Sequence, residues 1–188
     1  MATSVLCISV PKICGKTNNM ADGAVSEASP RHFLILNNVQ KNKNIKNMLV
    51  SASAFGVKEV FVVGQKKFDL QEQEPFLRSL SCQVTRLATL KDCRAHCLER
   101  GIRIVGVEIL HDAKSIAECP FSGDAAFIMG NEGSGMNAAQ VAICDDFVYI
   151  PQYGGGTASL NVTVAASIIL QSFALWAKLP VAQTAAME

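Results

Sequence analysis

Short runs of apolar residues with almost no polar alternation constrain this chain most: 32–36, 60–64, 102–107 and 125–129. A strand sends successive side chains to opposite faces, so a half-solvated strand alternates in polarity and a run like these belongs to a strand buried on both sides. Helical patterns fall between them, over 45–55 with Gly56 at its end, 69–80, 90–100 closed by Gly101, 137–143 and 159–178. Weaker strand patterns occupy 83–87 and 147–150. Strands alternating with helices predict an α/β domain, a mostly parallel sheet with helices on both faces. At 188 residues one such domain buries about 70% of its unfolded surface without disulfides or metals.

In an open parallel sheet, ligands sit beyond the carboxyl ends of the strands. Two glycine-rich turns fall at such ends. Gly130-Asn131-Glu132-Gly133-Ser134-Gly135 follows the 125–129 strand. Tyr149-Ile150-Pro151-Gln152-Tyr153-Gly154-Gly155-Gly156-Thr157-Ala158-Ser159-Leu160-Asn161-Val162 follows the next strand and opens the last helix. Glycine exposes backbone N–H and carbonyl groups, and a helix start adds unpaired N–H donors. The pair reads either as a small-molecule site or as ordinary tight turns. Neither is GxGxxG, and no Gly-Lys-Ser/Thr follows, so dinucleotide and nucleoside triphosphate binding lack support.

Other function classes are narrowed by composition. The net charge is +1 with 18% charged residues, so no global field draws in nucleic acid and any contact must come from a local patch. The loop Lys41-Asn42-Lys43-Asn44-Ile45-Lys46, with Lys66-Lys67, is such a patch, readable as a phosphate-binding surface or as a solvated loop. The apolar run 162–177 stops short of a bilayer span at Lys178 and reads as a buried helix, so no membrane role is expected. Seven scattered cysteines without a CxxC pair suit a reducing compartment. Cys93-x-x-His96-Cys97 lacks the second half of a zinc site, and no metal is expected.

Residues 1–30 are small and polar with no periodicity, a disordered N-terminal tail ahead of a domain spanning 31–188. The first 21 residues lack Asp and Glu. The tail therefore reads as plain disorder, with the protein cytoplasmic, or as a transit segment to a chloroplast or mitochondrion.

A resemblance joins these pieces. Phe127-Ile128-Met129-Gly130-Asn131-Glu132-Gly133-Ser134-Gly135-Met136, followed by Ile150-Pro151 and then Ser159-Leu160-Asn161-Val162-Thr163-Val164-Ala165-Ala166, resembles motifs 2 and 3 of the SpoU (TrmH-type) RNA methyltransferases of the SPOUT superfamily. Asn44, with Ala54-Phe55-Gly56-Val57 and the strand after it, resembles motif 1. The similarity spans about 31–178.

The resemblance implies a sheet whose C-terminal part is threaded into a deep trefoil knot, an exception to the unknotted rule. It implies S-adenosylmethionine as cofactor, tRNA or rRNA as substrate, ribose 2′-O-methylation as reaction and a homodimer paired through the C-terminal helix. Carried over by position, Gly130, Asn131, Gly133, Ile150, Ser159 and Leu160 bind the cofactor, with Glu108 as a further wall. Asn44, Glu132 and Asn161 take the catalytic positions, and Arg31, Lys41, Lys43 and Lys46 take the RNA. The chain departs from the family at one position that matters. The motif 1 helix normally carries an arginine assisting deprotonation of the 2′-hydroxyl, and here that position is Val50, with Lys46 in place of a glycine. Arg31, a lysine or a partner's arginine would have to substitute. Without one, the rival expectation is a catalytically impaired RNA-binding or scaffold protein, and a third is a generic nucleotide-binding α/β protein.

Overall fold

A computed structural model of the chain describes residues 29–65, 68–131, 133–154 and 159–182. The tail expected over residues 1–30 lies almost wholly outside these residues, as do Lys66, Lys67 and Glu132.

Seven strands form one sheet, ordered β3-β2-β1-β6-β4-β7-β5, and every pairing is parallel. In chain order these are β1 (His32–Leu36), β2 (Glu59–Val63), β3 (Gln83–Leu87), β4 (Arg103–Val107), β5 (Lys114–Ser115), β6 (Ala125–Met129) and β7 (Asp146–Tyr149). The helices are α1 (Asn42–Ala54), α2 (Glu74–Leu77), α3 (Leu90–Glu99), α4 (Ala138–Val141) and α5 (Val162–Trp176). The chain lays β1 to β3 outward in one direction, then returns to insert β6 between β1 and β4, with Ala125 level with both His32 and Arg103. β7 pairs outside β4, and α5 then crosses back onto α1, where Ser51 Oγ and Ser167 Oγ lie 2.8 Å apart. This path is consistent with a trefoil threading. Part of the return loop, residues 155–158, is outside the described residues, so the knot itself stays an expectation.

Strand alternation divides the core into two layers. From β1, Leu34 and Leu36 pack with Ile45, Met48 and Leu49 of α1 and with Ile169, Leu170 and Phe173 of α5. Phe33 and Ile35 face the other way, against Cys93 and Cys97 of α3 and Ile143. Each such side chain contributes roughly 1.5–3 kcal/mol on leaving water, so both layers are needed to hold a sheet with no solvated face. Phe173 sits at the centre of an aromatic cluster, 5.4 Å from Phe121, 5.7 Å from Phe127 and 5.1 Å from Trp176 between ring centroids, which fixes α5 over β6. His32 is fully buried in the same layer, 4.8 Å from the Phe173 ring. Neither ring nitrogen has a hydrogen-bond partner of ordinary geometry. Burial pushes its pKa down to about 4, the backbone of Phe55 opposing the shift and the charge of Lys58 adding to it.

Three expected helices are shorter than their patterns. The 69–80 pattern yields only Glu74–Leu77, because Pro75 has no N–H to give and disfavours helix in the residue before it, so it can start a helix but not sit inside one. The 137–143 pattern yields Ala138–Val141. The last helix begins at Val162 rather than 159 because Asn161 caps it, its Oδ1 accepting from Thr163 N at 2.9 Å.

Candidate functional site

Because all strands run in parallel, the loops leaving β1, β4, β6 and β7 emerge along one edge of the sheet. The loop after β6 is closed on itself. Asn131 N donates to Gly135 O at 2.9 Å and Gly135 N returns the bond to Asn131 O at 3.0 Å. The Asn131 side chain stiffens it further, Oδ1 accepting from Gly133 N at 3.0 Å while Nδ2 reaches across to Asn38 O at 2.9 Å in the loop after β1. From the end of β4, Glu108 leans into the same loop. Its Oε2 accepts from Met136 N and its Oε1 from Ile109 N, both at 3.0 Å.

Between these loops and the start of α5 lies a cavity of about 300 Å³. The seven positions expected to bind a cofactor, Glu108, Gly130, Asn131, Gly133, Ile150, Ser159 and Leu160, all line it. Residues 93 and more apart in sequence, such as Asn38 and Asn131, meet here only because β6 is inserted beside β1. The rest of the wall, Val107, Ile109, Met129, Gly135, Tyr149, Gln152, Val162 and Ala165, was not singled out residue by residue in the sequence. Several of these are simply the last residue of a strand or the first of a helix, which was the available signal. Sequence reasoning missed Gln140, fully buried beneath the loop. Gln140 Oε1 accepts from Asn137 N at 3.0 Å, its backbone N donates to Asn137 Oδ1 at 3.0 Å, and its Nε2 points to Met129 O at 3.4 Å. This reciprocal cap anchors the far end of the loop to the end of β6.

The three expected catalytic positions are less closely grouped. Asn161 follows the cavity-lining Leu160 as the cap of α5. Asn44 is buried in the first turn of α1, its N–H bonded to Lys41 O at 2.9 Å. A smaller cleft lined by Asn38, Val39, Gln40, Gly130, Asn131 and Val162 shares the last three of these with the cavity wall. Glu132 lies outside the described residues. Among the cavity's described walls the ionisable side chains are Glu108 and Tyr149.

Lys41, Lys43 and Lys46 are exposed around the start of α1, on the same edge of the sheet as the cavity. Arg31 is not. It immediately precedes β1 and therefore sits where the strands begin, at the opposite edge, with Nε at 2.8 Å and Nη2 at 2.5 Å from Asp124 Oδ2. Within one chain it therefore stands apart from the three lysines, paired with its own carboxylate partner. Val50 is 51% exposed on α1. Of the zinc-like trio, His96 Nε2 instead faces the Arg100 guanidinium at 2.7 Å, and the Cys93 and Cys97 thiols are buried in the core.

Residues 31–171 match the family model described as the SpoU rRNA Methylase family. The chain is 34% identical over 161 residues to the 23S rRNA (guanosine-2'-O-)-methyltransferase RlmB of Vibrio vulnificus, covering 81% of this chain and 62% of that protein. It is 27% identical over 148 residues to the tRNA (guanosine(18)-2'-O)-methyltransferase of Escherichia coli K12, covering 78% and 64%. The chain thus spans about three fifths of the length of these curated relatives. Among solved structures it superposes on the SpoU methyltransferase AviRb of Streptomyces viridochromogenes in complex with AdoMet, with a TM-score of 0.67 and 22% identity, covering 81% of this chain and 60% of that one. A likeness at that identity establishes the shared fold.

Proposed function

The chain belongs to the SpoU rRNA methylase family, and from that premise we propose that it is an S-adenosylmethionine-dependent RNA methyltransferase acting on a ribose 2′-hydroxyl of tRNA or rRNA. The observation carrying this reading is the convergence of the motif 2 and motif 3 positions on one cavity at the carboxyl edge of the sheet. The residues present fit the cofactor. Val107, Met129, Leu160 and Ala165 offer the apolar surface that an adenine ring requires, beside backbone groups of the 130–135 loop. At Gly130 and Gly135 an added Cβ would meet the Glu108 carboxylate, so that wall is shaped by the loop backbone and the Glu108 side chain together.

When bound, S-adenosylmethionine supplies an electrophilic methyl group. What remains for the chain is to orient the acceptor ribose and to help its proton leave. Lys41, Lys43 and Lys46 stand exposed beside the cavity edge, Lys46 with its ammonium 5.8 Å from the Phe76 ring centroid, as cations suited to RNA phosphates, a contribution that falls with salt. A homodimer suits the outer face of α5, where Val164 is 46% and Leu175 55% exposed beside an apolar groove of about 360 Å³ that includes Trp176.

A second reading is favoured by Val50: the same fold binding cofactor and RNA without transferring the methyl group. Incubation with radiolabelled S-adenosylmethionine and total tRNA or rRNA, then digestion to nucleosides, separates the two. Label in a 2′-O-methylnucleoside supports transfer. Unlabelled RNA, with cofactor binding intact and label restored by Val50→Arg, supports the silent reading. Absence of both binding and transfer contradicts both.

A further inference from the structure

Resting on that reading of the cavity, we infer that Glu108 is the positioning residue of this site: its carboxylate ties the 130–136 loop to the end of β4, and its approach crowds out a side chain at position 130. Glu108 is the first residue beyond β4, and its backbone is pinned to the neighbouring strand by Glu108 N donating to Val148 O at 3.0 Å. From that fixed point the side chain spans to the loop leaving β6. Both carboxylate oxygens are engaged by main-chain donors, Oε1 by Ile109 N and Oε2 by Met136 N, at 3.0 Å each. Bonds from backbone N–H to an ionised acceptor are the stronger kind, so one side chain ties the exits of β4 and β6 together across the cavity wall.

The glycines show how close this approach is. A Cβ at position 130 would lie 2.3 Å from Glu108 Oε2, and one at 135 would lie 2.6 Å from the same atom. At either separation the Glu108 carboxylate would have to move aside, and moving it gives up the bond from Met136 N. Other glycines of the two loops are not constrained in this way: at 133 the nearest atom to a Cβ is Asn131 Oδ1 at 3.9 Å, and at 154 nothing lies within 4 Å. Gly135 is also held at φ +65, where a side chain is strained in any case, so position 130 isolates the effect of the carboxylate. There the next contacts are the backbone atoms Gly135 C and Met136 N at 3.1 Å, which would have to give by a few tenths of an ångström. Glu108 therefore acts on the cofactor through the loop, and a side chain at 130 is accommodated only if Glu108 gives up its bond from Met136 N or is itself replaced.

A double-mutant cycle on the full chain tests this, with the S-adenosylmethionine Kd by calorimetry and the exchange rate of the Met136 amide as readouts. Glu108→Ala leaves the Met136 N–H without its acceptor, so binding is expected to weaken about tenfold and Met136 exchange to accelerate by at least about tenfold, with the β6 amides unchanged. Gly130→Ala alone is expected to weaken binding about 100-fold, but in the Glu108→Ala background to add no more than about threefold, because coupled sites are not additive. If Gly130→Ala folds only when Glu108 is also replaced, the same coupling is demonstrated. Additive losses, failure of Gly130→Ala to fold in both backgrounds, or unchanged Met136 exchange in Glu108→Ala would overturn the inference. Should the wild-type chain bind no S-adenosylmethionine, the proposed function fails, and the Met136 amide and the folding of the two Gly130→Ala proteins still decide the role of Glu108.

Discussion

The two edges of the sheet are built in opposite ways. Where the strands begin, ion pairs join neighbouring elements: Arg31 with Asp124, Arg94 with Asp145, Arg100 with Glu59 and Arg103 with Asp146. Where they end, the described contacts are mostly hydrogen bonds between short polar side chains and backbone, at Asn37, Asn131, Asn137 and Gln140, while Lys41, Lys43 and Lys46 stand exposed. Charges paired with each other hold elements in place and have little left for a ligand. Glycine turns and exposed lysines contribute less to stability and leave backbone groups and cations for a partner. The same sheet thus keeps its structural electrostatics and its candidate chemistry at opposite ends, and changes at one edge should leave the other nearly untouched.

The largest expected effect tests the beginning edge by acid. His32 has its folded pKa held near 4, below its ordinary value of 6.5. A depressed histidine is neutral in the fold and protonates first in the unfolded chain. Its contribution is therefore complete above pH 6.5 and is lost as pH falls from 6.5 through 4, amounting to about 3 kcal/mol. Chemical unfolding between pH 7 and pH 4 should show this loss, and His32→Leu should flatten the curve over that window. A wild-type profile that is already flat there would break the assignment.

A smaller effect should follow at the best-buried ion pair. Burial pushes the Glu59 carboxyl up, but hydrogen bonds from Thr85 and Arg100 and the charge of Arg100 outweigh it and hold the group below its ordinary value. Arg100 also lies over the rings of Phe33 at 5.2 Å and Phe61 at 5.7 Å. Arg100→Ala should cost about 2 kcal/mol, discounted for its partial exposure, and lower Tm by about 5 °C. Cofactor Kd in the folded protein should be unchanged, and a parallel loss of affinity would show the two edges to be coupled.

The ending edge should give the reverse pattern. Replacing Lys41, Lys43 and Lys46 together by Ala should shift stability by less than about 0.5 kcal/mol, while RNA affinity falls and its salt dependence flattens by roughly two to three phosphate equivalents. Filter binding across a salt series reads this directly. An unchanged slope would return those lysines to an ordinary solvated surface.

Much of this division was legible in the residues themselves. Continuous apolar runs marked the buried strands, and glycine-rich turns after them marked the ligand edge, because both signals are local. β5 was invisible since two residues, Lys114 and Ser115, carry no periodicity. The 69–80 helix was over-read by weighting its apolar spacing above Pro75. Gln140 and Asn37 were missed because their partners are backbone carbonyls at strand ends, Met129 O and Val63 O, which no local pattern announces. Arg31 shows what strand direction adds. A residue directly before a strand must lie at the beginning edge, so strand direction alone excluded it from the cavity.

The claim on which the rest depends is that the cavity between the 130–135 loop and the start of α5 holds S-adenosylmethionine. Titration calorimetry of the wild-type chain, repeated with Leu160→Arg to fill the cavity with a charged side chain, tests it most directly. The expected result is one cofactor per chain with a Kd in the micromolar range, a loss of at least about 100-fold in the variant, and no heat with ATP. No binding by the wild-type chain at millimolar S-adenosylmethionine, or equal binding by the variant, would contradict it.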